Sequence, residues 1–163
     1  MRRNFGWQNC EMQYVDIKPK IIIEQYIEGT MNEYKFYCFD GKPYFCFTTF
    51  GRRNIDLAIS FYDMNWNIQP FIRPDHKTYD KIVPYPAEYD ELKSIASRLC
   101  EGFDHVRVDL YVAEGHIYNG EMTFTTANGT GKISPDEWDY KLGELWPFDN
   151  TVRKKILAKS SRP

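Results

Sequence analysis

Arg107, Asp109, Glu121 and Thr123 are the residues whose types and spacing could do chemistry together. They lie in the stretch His105–Gly129, HVRVDLYVAEGHIYNGEMTFTTANG, which reads as a β-hairpin. Val106, Val108, Leu110 and Val112 alternate with Arg107, Asp109 and Tyr111; Tyr118, Met122 and Phe124 alternate with Asn119, Glu121 and Thr123. Side chains switch face at every strand residue, so the register decides which groups meet. Keeping both apolar rows on one face requires an odd loop, and Glu114-Gly115-His116 supplies three residues. That register sets Asp109 opposite Glu121 and Arg107 opposite Thr123, with Cβ atoms about 4.5–5.5 Å apart. Two facing carboxylates repel unless a positive charge lies between them. Mg²⁺ would serve, being commonly held by one or two carboxylates plus substrate phosphates, and Arg107 beside them would suit a phosphate oxygen. Two other readings stand: a solvated hairpin face carrying ordinary charges, and a carboxylate-pair hydrolase using Asp109 and Glu121.

Several elements must position these groups. Leu92, Ile95, Ala96, Leu99 and Cys100 make one apolar stripe at helical spacing, so Tyr89–Glu101 is expected as a helix closed by Gly102 and packed across the sheet. Tyr34–Phe39 and Tyr44–Thr49 flank Asp40-Gly41, a second hairpin. Ile21–Ile27 reads as a buried β-branched strand. Asp56–Tyr62 and Trp66–Phe71 read as short strands, with Phe61, Trp66 and Phe71 in the core. Ser134-Pro135-Asp136-Glu137 is a capping box with Pro at the first helical position, and Trp138, Leu142 and Leu145 form that helix's buried face. A short basic helix is expected over Thr151–Lys159. The organisation is therefore an irregular lead-in over 1–20, one α+β domain over 21–159 and a frayed tail over 160–163. The fold class is α+β, a largely antiparallel sheet with helices on one face.

Composition removes several alternatives. At 163 residues, 42% hydrophobic and 17% aromatic, the chain can bury a real core. A net charge of −2 without a basic stripe argues against nucleic acid as a partner. The longest apolar runs fall far short of the ~18 residues a membrane span needs. The start, MRRNFGWQNCEMQ, has no apolar core of a signal peptide, so the expected compartment is the cytoplasm. Cys10, Cys38, Cys46 and Cys100 show no C-x-x-C spacing, and reduced, mostly buried thiols are expected.

Arg107-x-Asp109 followed by Glu121-x-Thr123 resembles the metal-binding hairpin of the ATP-grasp superfamily, usually R-x-D then E-x-N, with Thr123 standing where Asn is common. More narrowly, FDHVRVDLYVAEGHIYNGEMTFTTANG and Y-K-F-x-C-F-x-G-K-P resemble the TupA-like ATP-grasp proteins of teichuronopeptide and other surface-polysaccharide gene sets. The similarity runs from about Trp7 to Pro147. The resemblance implies ATP and Mg²⁺ as cofactors, and Asp109, Glu121 and Thr123 as metal ligands. Arg107 becomes the catalytic residue that stabilises the transferring phosphoryl group. Ile21–Glu28 becomes the nucleotide-binding hinge, which includes Glu24; Gln25 and Ile27 contact the adenine through their backbone and Glu28 takes the ribose. Lys35 is directed either to phosphate or to the sheet rim, Arg52 is a modest anion contact, and Asn128 and Gly129 form a loop facing the acceptor.

The implied reaction joins an unidentified carboxylate to an amine at the expense of ATP. The resemblance covers only the half of an ATP-grasp fold that carries the hinge and metal hairpin, and about twenty residues precede Ile21. No phosphate-binding Gly-rich motif replaces the other half. The expectation is a shortened chain, or one completed by a second copy or another protein, with weak nucleotide affinity and little turnover alone. The alternative is a truncated, non-catalytic module binding a nucleotide or a partner.

Overall fold

The computed structural model describes residues 4–27, 32–50, 58–79, 81 and 83–146. Glu28, Arg52 and the expected helix over 151–159 lie outside them. Six strands form one sheet: β1 (Asn32–Phe39), β2 (Lys42–Phe50), β3 (Ala58–Asp63), β4 (Lys77–Thr78), β5 (His105–Ala113) and β6 (His116–Thr123). Their spatial order is β4-β3-β2-β1-β5-β6. All neighbours are antiparallel except β3 and the two-residue β4. The fold is α+β.

Both hairpins turn on two residues in the left-handed region, Asp40 (φ 48°) with Gly41 (φ 66°) and Glu114 (φ 52°) with Gly115 (φ 76°). Such turns match the right-handed twist of the flanking strands. Each hairpin then contains a bulge. In the first, Cys38 pairs with Pro43 but Tyr37 with Phe45, leaving Tyr44 over. In the second, Leu110 pairs with Asn119 but Asp109 with Glu121, leaving Gly120 over. The expected three-residue loop is thus replaced by a two-residue loop, with His116 paired to Ala113. The bulge restores the lost parity, so the expected pairs Asp109–Glu121 and Arg107–Thr123 form nonetheless.

Alternation along the strands divides the core into two faces. On one, Tyr34, Phe36, Cys38, Val106, Val108 and Leu110 pack under α2 (Tyr89–Leu99), which contributes Tyr89, Leu92 and Ala96. Gly102, at φ 81°, then reverses the chain into β5. On the other, Tyr37, Phe39, Phe45, Phe47, Phe61 and Phe71 form an aromatic cluster against α3 (Asp136–Glu144), through Trp138 and Leu142 with Leu145 beyond its end. Helices therefore cover opposite faces rather than one. Burying side chains such as Phe36 and Phe61 stabilises the fold by roughly 1.5–3 kcal/mol each. Cys38, Cys46 and Cys100 are buried free thiols; Cys10 is free but exposed.

Three local expectations are corrected. Ser134 does not cap α3: its backbone N–H and C=O both bond to Ile72, and the helix begins one residue later, with Pro135 at its cap position. Trp66–Phe71 is not a strand. The Asp63 carboxylate accepts from the backbone N–H groups of Asn65 and Asn67 (both 2.8 Å) and turns the chain, with Trp66 at φ 65°. Phe61, Trp66 and Phe71 are buried as expected. Ile21–Ile27 is neither a strand nor buried: Ile21, Ile22 and Ile23 are 91%, 79% and 92% exposed. Its β-branched run lacks the partner strand it would need among the described residues. The lead-in, expected to be irregular, contains a helical turn, α1 (Phe5–Asn9), and a 3₁₀ turn (Met12–Tyr14). Trp7 there is exposed, whereas Tyr14 packs edge-on against Phe5 at 6.0 Å.

Candidate functional site

The polar site occupies the part of the aromatic face that α3 leaves open. β1 and β5 pair Lys35 with Asp109 and Tyr37 with Arg107, while β6 adds Glu121 and Thr123 opposite Asp109 and Arg107. All six project to the same side because their pairings are in phase. Arg107 grips Asp109 with two donors, Nε to Oδ1 at 2.7 Å and one Nη to Oδ2 at 2.8 Å. The same Nη donates to the Thr123 hydroxyl at 2.9 Å, and that hydroxyl donates to Glu121 Oε1 at 2.7 Å. Lys35 Nζ donates to Asp109 Oδ2 and lies 3.8 Å from Glu33. A relay thus runs Lys35–Asp109–Arg107–Thr123–Glu121 across three strands.

Burial differs along that relay. Asp109 is only 5% exposed and carries two cations, so its charge is compensated within the fold. Glu121 is exposed and, among the described residues, receives only a hydroxyl. Burial alone would lower the Arg107 pKa, but the hydrogen bonds and charge of Asp109 outweigh it and hold the guanidinium above its ordinary value. Tyr37 is pushed up by burial despite the opposing charge of Arg107. His105, buried between Phe39 (4.6 Å) and Trp146 (4.4 Å), is pushed down by burial, with Arg107 acting in the same direction. Its Nδ1 pairs with the Cys38 carbonyl at 2.9 Å.

Two clefts flank the relay. Beside the hairpin loop, a cleft of about 640 Å³ brings Glu24, Gln25, Tyr26 and Ile27 to Tyr111, Glu114, Tyr118 and Asn119. Tyr111 and Tyr118 form a cross-strand stack, with centroids 5.2 Å apart and planes at 14°. At the other end, a cleft of about 760 Å³ lies between the lead-in and β6 and reaches Arg107, Glu121, Thr123 and Asn128. Gln13 ties the lead-in to the body by donating to the Thr125 hydroxyl at 2.6 Å. The 3₁₀ turn Thr126–Gly129 holds Ala127, Asn128 and Gly129 at φ 49°, 54° and 71°. Asn128 lines this cleft, whereas Gly129 only shapes the turn.

The structure therefore gathers Arg107, Asp109, Glu121, Thr123 and Lys35 into one network and brings Glu24, Gln25 and Ile27 to the same hairpin. Lys35 is committed to Asp109 and Glu33 rather than free for a ligand. Sequence reasoning missed the Tyr111–Tyr118 stack, because an odd loop assigned Tyr118 to the apolar row. It also missed Glu33, whose alternation with Lys35 was a usable signal, and Glu11, which no local pattern marks.

Among the described residues no group of three or more His, Cys, Asp or Glu is placed to hold a metal ion. The available donors are two carboxylates and a hydroxyl, all hard oxygens, the set that suits Mg²⁺ completed by phosphate and water. Because both Asp109 oxygens already accept hydrogen bonds, an ion here would share that carboxylate with Arg107 and Lys35. Among the described residues no helix is long and apolar enough to cross a membrane. The sequence model of the TupA-like ATPgrasp family matches residues 1–146. No curated protein and no solved structure matches the chain.

Proposed function

The chain belongs to the TupA-like ATP-grasp family, and from that premise we propose that its domain binds ATP with Mg²⁺ on the β5–β6 hairpin and serves a carboxylate–amine ligase. The observation that carries this reading is the Asp109–Glu121 pair, two carboxylates facing each other on adjacent strands with a guanidinium beside them. Asp109, Glu121 and the Thr123 hydroxyl would hold the ion. When bound, Mg²⁺ supplies positive charge that neutralises phosphate oxygens.

The chain's own residues divide the remaining work. Arg107 keeps its charge at any ordinary pH and stands beside the pair, where it would steady the transferring phosphoryl group. Lys35, committed to Asp109 and Glu33, would position the Asp109 carboxylate. Gln25 and Ile27 would contact the adenine through their backbone across the cleft that they and Glu24 line with Tyr111 and Tyr118, and Glu28 would take the ribose. Asn128, on its left-handed turn, would face the acceptor, with Gly129 setting the turn. The reaction would activate a carboxylate as its acyl phosphate, which an amine then attacks. We place this chemistry in the cytoplasm, among surface-polysaccharide assembly steps.

A second reading, a nucleotide- or partner-binding module without turnover, is favoured by Ile21, Ile22 and Ile23. Three adjacent isoleucines in water form a surface suited to being covered by further protein, either a second copy or a complementing chain. Calorimetry with ATP and Mg²⁺ tests both readings, on the chain and on the Asp109→Asn/Glu121→Gln variant. Weak, metal-dependent binding that the variant loses is expected under both. Phosphate release with added carboxylate and amine then selects the ligase. Binding indifferent to metal and to both substitutions would refute both.

A further inference from the structure

Glu11 is a charged residue packed almost wholly into the fold. It is 4% exposed, lies at the junction between α1 and the 3₁₀ turn, and lines the cleft between the lead-in and β6. Its backbone is bonded, accepting from Tyr14 and donating to Gly6. Among the described residues its carboxylate has neither a hydrogen-bond nor an ion-pair partner. Arg107 reaches the same cleft, but its charge is balanced by Asp109, to which it donates from Nε and one Nη, and the nearby carboxylate of Glu121 adds a second negative charge. The balance left inside the cleft is negative. Neither Glu11 carboxylate oxygen is a sealed, unsatisfied atom, so water in the cleft reaches them, and an ammonium group that displaced this water would gain a charge-assisted hydrogen bond.

The rest of the lining indicates what kind of cation. Phe5, Tyr14 and Ile17 form an apolar wall, with Phe5 and Ile17 59% and 61% exposed. A hydrated metal ion gains nothing from such a wall, whereas an organic body does. A volume of about 760 Å³ falls within the range of small-molecule sites. We propose that this cleft binds a small primary ammonium compound with an apolar body, its charge held by Glu11 and its body lying on Phe5, Tyr14 and Ile17. As an ammonium site the proposal stands on the cleft alone. Its identification with the amine acceptor of a ligase rests on the function proposed above.

Amide NMR titrations with phenethylamine and with 3-phenylpropionate, which have similar bodies and opposite charge, test it on the nucleotide-free chain. The amine is expected to shift signals of residues 11–17 and 121–125 saturably, and the carboxylate to leave them unchanged. Glu11→Gln is expected to weaken the amine about tenfold or more, since a hydrogen bond to a charged group is lost. Its thermal midpoint should stay level, because no bond to the carboxylate within the described residues is removed. Equal binding of both probes to the wild-type chain would overturn the proposal whatever the variant does. So would undiminished amine binding by Glu11→Gln, or a fall in its midpoint, which would make Glu11 a structural residue. ATP–Mg²⁺ calorimetry on the same samples reports separately on the proposed function.

Discussion

The two hairpins are built alike and used differently. Each turns on two left-handed residues and carries a bulge in its second strand, at Tyr44 and at Gly120. The β1–β2 hairpin lies inside the sheet, packed by Tyr89 and Leu92 of α2 on one face and by Phe71 and Trp138 on most of the other. The β5–β6 hairpin has only β5 inside; β6 is the sheet edge, with Gly120 and Glu121 exposed. The same local device thus yields a structural core where both faces are largely covered, and a ligand-accessible row of polar groups where one face and one edge stay open. β5 belongs to both worlds: Val106, Val108 and Leu110 anchor it while Arg107 and Asp109 carry the polar network on the other side.

That division predicts a graded response to substitution. Phe36→Ala in the inner hairpin should lower unfolding free energy by about 3–5 kcal/mol, read by denaturant titration, because a fully buried ring leaves a cavity. Tyr118→Ala at the open hairpin should cost far less; equal costs would erase the distinction. Asp109→Asn should come next, at about 3 kcal/mol, since Lys35 and Arg107 would be left without their shared anion. Lys35→Met in that background should recover part of the loss.

The next effect is pH-dependent and sits where β1 meets β5. The folded-state pKa of His105 lies below the ordinary His value near 6.5, chiefly because the ring is buried. The unfolded chain therefore binds more protons below that pH, and stability present above it is lost as pH falls towards the folded value. The slope should not exceed about 1.4 kcal/mol per pH unit for this one proton. His105→Asn should flatten the thermal midpoint between pH 7 and pH 5; an unchanged slope would remove His105 from the account. The smallest effect is expected at the turns. Gly41→Ala and Gly115→Ala should each cost about 1 kcal/mol, both placing a Cβ at positive φ. Similar values would support a shared turn geometry, whereas a much larger loss at one site would separate the two hairpins.

Much of the fold was legible because alternation and helical spacing are direct records of burial. The Val106–Val112 row and the Leu92–Cys100 stripe both landed where their periods put them. The register at Asp109 and Glu121 was also legible, though through a compensation the sequence hides: a two-residue loop shifts the pairing by one, and a bulge shifts it back. The same shift concealed Tyr118. Ile21–Ile27 misled because β-branched composition reports a preference for extended backbone, not the presence of a partner strand. Ser134 misled because a bridge to Ile72 took its backbone. Glu11 was invisible because its burial arises from chain packing at a distance, with no pattern of its own.

The central claim is that Asp109 and Glu121 jointly grip a divalent ion beside the nucleotide. Paramagnetic broadening by Mn²⁺ in the presence of ATP tests it most directly. The account predicts selective loss of the amide signals of Asp109, Glu121 and Thr123, abolished by Glu121→Gln, whose side chain is exposed and should leave the fold intact. Broadening centred elsewhere, or unchanged in that variant, would contradict it.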